Sequence, residues 1–137
     1  MVGRGSAVAD IDNDGDLDLA IVNLEGPVRI FENVIGSRKS WIRIEPRVSA
    51  DGRTVLGTVV RVTALGRTQT KWFYPSPSYA SGTLTDLHFG LNDAPAAERV
   101  EIVWPGGQVQ SFEAVPARHV YRIVRGGPLQ AVENLPH

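Results

Sequence analysis

The sequence has no cysteine and only one methionine. The missing cysteine removes disulfides, thiolate metal sites and Cys nucleophiles together, yet leaves the compartment open, because exported bacterial proteins and cytosolic ones alike do without it. No run reaches the roughly 18 apolar residues of a membrane span, and the N-terminus shows no charged segment followed by an apolar one. Helical periodicity is scarce: no eleven-residue stretch keeps it free of Gly or Pro, apart from a short turn near 94–98. Clustered Lys and Arg with interleaved aromatics are missing too, which sets nucleic acid aside as a partner.

What the chain does have is a run of acid. Asp10, Asp12, Asp14, Asp16 and Asp18 alternate, with Gly15 among them. The net charge of −1 hides this: without those five aspartates, ten acidic residues stand against fourteen basic ones. So many carboxylates in one short loop oppose compact folding unless a cation neutralises them. Carboxylates at positions 1, 3, 5 and 9, a main-chain carbonyl at position 7 and a glycine at position 6 for the sharp turn are what Ca²⁺ takes from a single segment. On that spacing Asp10, Asp12, Asp14 and Asp18 supply side chains and Asp16 its main-chain oxygen. An EF-hand would need a bidentate Glu at position 12, where Ile21 stands, and helices on both sides. A dockerin-like module would need a following helix and a second loop, and neither is visible. The flanks, Ser6 to Ala9 before and Leu17 to Val22 after, read as strands instead. A solvated acidic turn without metal is the plain alternative.

At 137 residues with 42% hydrophobic content, the chain can build one ordinary core or two small ones. It reads as strand and turn nearly throughout. Val28 and Ile30 alternate after Gly26-Pro27; Trp41 to Ile44 follows a polar break; Val60, Val62 and Ala64 alternate with Arg61 and Thr63; and Arg67 to Tyr74 is another candidate strand. Val100 to Trp104, then Pro105-Gly106-Gly107, then Gln108 to Phe112 is the clearest hairpin. His119 to Val124 closes the set, and the stretch from Gly126 to His137, with two prolines, is expected to be loose.

Two resemblances cover almost all of this. Ser6-Ala7-Val8-Ala9-Asp10, the acidic loop, Leu17 to Asn23 and Val28 to Asn33 together resemble one FG-GAP-like or VCBS repeat, the blade unit of calcium-binding β-propellers. Ser40 to Arg125 resembles the ASPIC/UnbV domain, on the strength of Gly57 to Val62, Ser81-Gly82 before Leu87-His88-Phe89-Gly90-Leu91, and Val100 to Gly107. Gly52-Arg53-Thr54-Val55-Leu56-Gly57 departs somewhat from the pattern of that domain's first strand. The resemblances imply an all-β chain: a partial calcium-binding propeller blade followed by a compact antiparallel β-sandwich or barrel-like domain. The expected division is 1–33 for the repeat, 34–39 for a linker, 40–126 for the β domain and 127–137 for the tail. One repeat cannot make a propeller, since such folds use roughly four to eight blades. Further blades are therefore expected upstream in a longer parent chain, of which this is a C-terminal piece.

Other residues invite functional readings. Trp72, Tyr74 and Tyr79, near Pro75 and Pro77, could form a platform for a sugar or peptide, because flat faces with polar tips suit such ligands; core packing or a domain seam is the other use. His88 lies between apolar neighbours without a paired nucleophile, and His119 has less to offer still. Ser81-Gly82 lacks the context of a nucleophile elbow. The expectation is a non-catalytic module, extracellular or in the cell envelope, that holds Ca²⁺ as a staple and engages a protein or carbohydrate. The rival, an enzyme or accessory protein of a biosynthetic pathway, rests on the occurrence of ASPIC/UnbV proteins in enediyne clusters; a cleft gathering His88, Asp86 and Tyr79 would favour it.

Overall fold

The computed structural model describes residues 3–47, 55–74 and 86–132. The chain divides into two compact units. One holds the described residues up to Arg38 together with Tyr74, and the other holds Lys39–Phe73 and the described residues from Asp86 onward.

The first unit is a three-stranded antiparallel sheet in sequence order: β1 (Gly3–Ala9), β2 (Asp18–Asn23) and β3 (Arg29–Phe31). The acidic loop joins β1 to β2, which pair in register from Ala9 opposite Asp18 to Gly5 opposite Val22. Gly26, at φ +122°, and Pro27 turn the chain towards β3, as their backbone preferences require. Much of the apolar surface here lies open: Val22, Val28, Ile30 and Phe31 are all exposed. A single 3-10 turn, Gly36–Arg38, follows.

The second unit carries β4 (Ser40–Arg47), β5 (Val59–Ala64), β6 (Arg67–Trp72), β7 (Leu87–Asn92), β8 (Ala96–Val103), β9 (Val109–Pro116), β10 (His119–Val124) and β11 (Leu129–Ala131). They form two four-stranded sheets, ordered β11-β10-β4-β7 and β6-β5-β8-β9. One core lies between them. Ile42 and Ile44, Phe89 and Leu91, and Tyr121 and Ile123 from the first sheet meet Val60 and Val62, Val100 and Ile102, and Val115 from the second. Strand alternation puts every second residue inward. Ile42, Ile44, Val60, Val62, Val100, Ile102 and Ile123 are fully buried, each contributing about 1.5 to 3 kcal/mol. The sheets stay two: where β6 faces β7, side chains bridge them without a strand ladder, as Gln69 Nε2 donates to the Gly90 carbonyl at 2.6 Å and Lys71 Nζ to that of His88 at 2.7 Å. Of the sandwich and the barrel, this is the sandwich.

Three features differ from the sequence expectation. The 94–98 segment is not a helical turn, because Ala96 and Ala97 pair with Pro116 and Val115 and so begin β8. Leu129–Ala131 is not loose, because it pairs with β10 and Leu129 packs against the core. The domain is not purely antiparallel, since β10 runs parallel to β4, from His119 opposite Ile42 to Val124 opposite Arg47.

Candidate functional site

The acidic loop is shaped by its own backbone. Asn13 (φ +61°) and Gly15 (φ +94°) take left-handed conformations, which Asn and Gly adopt at low cost, and these bends fold the segment back on itself. Its carboxylates accept backbone N–H groups within the loop: Asp12 from Asp14 at 3.2 Å, Asp14 from Asp16 at 3.0 Å and Asp10 from Gly15 at 3.1 Å. Folding thereby brings one carboxylate oxygen each of Asp10, Asp12 and Asp14 within 4.8 Å of one another. Three hard anionic ligands at that separation, with glycine at the bend, fit a divalent cation of the calcium type.

Asp18 stands apart from those three. One of its oxygens accepts the Ile11 N–H at 3.0 Å and the other the Asn33 N–H at 2.9 Å, so this buried carboxylate ties the start of the loop to the end of β3. Spacing gives Asp16 only a main-chain role, and its side chain has an environment of its own. Its side chain is buried at 4% exposure, and neither oxygen makes a hydrogen bond of normal geometry. Burial and then the Asp14 charge raise its pKa, while the nearby Ser37 backbone N–H opposes the rise. Gly36 permits this arrangement: a Cβ there would stand 2.7 Å from both Cβ and Oδ2 of Asp16. The sequence carries no sign of that contact, twenty residues distant.

The aromatic candidates separate. Trp72 is 60% exposed and Tyr74 61%, with Phe73 between them buried in the core, so neither is a core residue. Tyr79 and Ser81-Gly82 lie outside the described residues. His88 stacks on Trp41, with ring centroids 6.0 Å apart. Asp86 is buried and binds Arg43 Nε at 2.5 Å, which commits it to an ion pair rather than to acid or base work. His119 Nδ1 lies 2.7 Å from the Ala117 carbonyl. A cavity of about 520 Å³ borders Arg67, Gln69 and Asn92 together with Gly90 and aliphatic side chains, and none of these makes a nucleophile and base pair.

A family model described as ASPIC and UnbV matches residues 49–129, more than half of the chain, and this span includes both four-stranded sheets apart from β4 and the end of β11. The chain belongs to the ASPIC/UnbV family. It is similar to cartilage acidic protein 1 of Homo sapiens, 30% identical over 112 residues and 80% of this chain, and to that of Xenopus tropicalis, 29% identical over 110 residues and 78%. The chain spans 17% of the length of either relative. Among the described residues, no helix is long and apolar enough to cross a membrane.

Proposed function

We propose that this chain is a calcium-stapled, non-catalytic binding or structural module that works outside the cytoplasm, in the extracellular space or cell envelope. Its first unit is then one FG-GAP-like or VCBS blade of a propeller continued in a longer chain. Its ASPIC/UnbV domain engages a protein or carbohydrate. The observation that carries the metal reading is the convergence of Asp10, Asp12 and Asp14 around the Gly15 bend. Asp16 contributes its carbonyl, and Asp18 anchors the loop at position nine, where a ligand often acts through water. The buried, unmatched Asp16 carboxylate adds charge that a nearby cation offsets. The exposed Val22, Val28, Ile30 and Phe31 support the blade reading, because a neighbouring blade would cover them, and blades usually carry four strands where the described residues of this unit form three. The location is supported by relatives named for cartilage, and by the suitability of such loops to extracellular calcium.

Calcium bound here ties β1 to β2, so its binding free energy adds to folding free energy. Calorimetric titration of the chain with Ca²⁺ tests this. One ion should bind, and Asp12→Ala, which removes a converging carboxylate, should abolish the heat. A silent titration of the unaltered chain would sink the metal reading.

A further inference from the structure

The second sheet of the ASPIC/UnbV domain has an outer face with a distinct composition. Strand register places Trp72 opposite Val59, Val59 opposite Val103, and Val103 opposite Val109, so these four side chains make one row across β6, β5, β8 and β9. Alternation puts the row outward, because Val60 and Ile102, one residue on, are fully buried on the other face. Trp72 and Val109 at its ends are 60% and 53% exposed, with Val59 and Val103 half-buried between them. Four strands spaced about 4.8 Å apart give the row a length of about 14 Å.

Two residues along each strand the chemistry changes. The next row on this face is Thr70, Arg61, Glu101 and Ser111 in the same strand order. It offers a hydroxyl, a guanidinium, a carboxylate and a hydroxyl about 7 Å from the apolar row. Arg61 sits directly opposite Glu101 in the ladder, yet among the described residues the two form no ion pair, so both keep their hydrogen-bonding capacity. The row beyond is already self-satisfied: Thr63 and Thr68 share a hydroxyl hydrogen bond at 2.8 Å, and Arg99 approaches Glu113 at 3.8 Å.

The geometry points to a saccharide-binding site on this face, with the apolar C–H face of an uncharged sugar ring seated on Trp72 and its hydroxyls reaching Thr70, Arg61 and Glu101. This deepens the binding-module reading and rests on it, but not on calcium. The indole is a flat, rigid surface that costs little conformational entropy to use. Arg61 and Glu101 cancel in charge, which favours a neutral ligand carrying both donors and acceptors over an acidic or basic peptide. Size argues the same way. One apolar row about 14 Å long and about 7 Å wide covers about 100 Å², well short of the roughly 800 Å² per partner of a stable protein interface, but matches a small polyhydroxylated ligand.

The test is an array of uncharged and acidic oligosaccharides probed with the intact chain, followed by calorimetry on the best uncharged hit. Trp72→Ala should weaken that binding at least about tenfold, Glu101→Gln should weaken it less, and Trp72→Phe should retain part of it. Thermal melting of each variant accompanies the titrations, and Glu101→Gln decides the matter if Trp72→Ala melts well below the parent. Binding should persist in a calcium chelator, because every residue named lies in the second unit. No uncharged hit, binding confined to acidic glycans and indifferent to both substitutions, or concentration-dependent self-association lost in Trp72→Ala would each overturn the saccharide site. Cleavage of the bound sugar, read by mass spectrometry, would instead overturn the non-catalytic reading and leave the site in place.

Discussion

Gln110 offers the sharpest test of how the ASPIC/UnbV domain is held. Trp104-Pro105-Gly106-Gly107 forms the turn of the β8–β9 hairpin, with the Gly107 N–H donating to the Trp104 carbonyl at 2.9 Å and Gly106 at φ +97°. Pro before a positive-φ Gly is the type II pattern. Trp104 is 1% exposed, and its indole N–H needs a partner there. Gln110 Oε1 accepts that N–H at 2.5 Å and also the Gly126 N–H at 2.9 Å, while its Nε2 donates to the Gly127 carbonyl at 2.9 Å. One side chain thus joins the hairpin to the turn between β10 and β11. Gln110→Ala removes three hydrogen bonds worth about 1 kcal/mol each, and leaves a buried indole donor unmatched. The expected loss is about 3 kcal/mol, or roughly 12 to 24 °C in melting temperature for a unit of this size. Urea denaturation followed by tryptophan fluorescence measures it. Gln110→Glu keeps the acceptor but sets a carboxylate oxygen against the Gly127 carbonyl, so it should cost more than the roughly 1 kcal/mol of one lost hydrogen bond. A loss below about 0.5 kcal/mol for Gln110→Ala, the range of an ordinary surface change, would refute the brace.

Leu65 and Gly66 form the two-residue turn between β5 and β6 with φ of +50° and +69°, a primed turn in which Leu is strained; Leu65→Asn should stabilise by about 1 kcal/mol in the same denaturation assay. Gly36→Ala should drive a methyl group into Asp16 and Asn33, cost about 1 to 3 kcal/mol, and raise hydrogen exchange in residues 10–38 while the second unit keeps its protection. Burial lowers the Lys71 pKa below 10.5, so between its native value and 10.5 the unfolded chain binds more protons and stability from this group rises with pH. Burial raises the Tyr121 pKa above 10.0, which acts in the opposite direction, so the measurement is the difference between parent and Lys71→Met, whose alkaline curve should lack the rise.

Strand content was legible wherever apolar residues alternate. Val60, Val62 and Ala64 face the core as their spacing implies, and the Pro105-Gly106-Gly107 reversal falls where turn chemistry puts it. What escaped depends on pairing partners. Ala96 and Ala97 have little strand preference of their own, and join β8 because β9 lies alongside. Leu129–Ala131 is three residues long and gains strand geometry from the edge of β10. The same limit applies to the acidic loop. Asp10, Asp12 and Asp14 converge through local turns that their spacing announces, whereas the fates of Asp16 and Asp18 are set by Gly36 and Asn33, far along the chain. Trp72 lay on a readable strand, but its exposure follows from which side of β6 meets the core, and that is decided by register with β5.

The edges of the sandwich also bear on which surface is open to a ligand. A free strand edge recruits extended peptides through unpaired backbone groups, and this domain blocks such pairing on several sides. The His88 and Gly90 carbonyls of β7 already receive Lys71 and Gln69. On β9 the pairing lapses at Ala114, which sits at φ +52° opposite Glu98 with the register unchanged on either side, and the strand ends in Pro116; a left-handed residue and a proline both disturb a ladder. The third edge, β11, is three residues long. With strand addition opposed at these three edges, the proposed recognition would fall to side chains on a sheet face. The face of the second sheet combines an exposed indole with an unpaired Arg61 and Glu101, so its selectivity would come from side-chain chemistry rather than from backbone pairing.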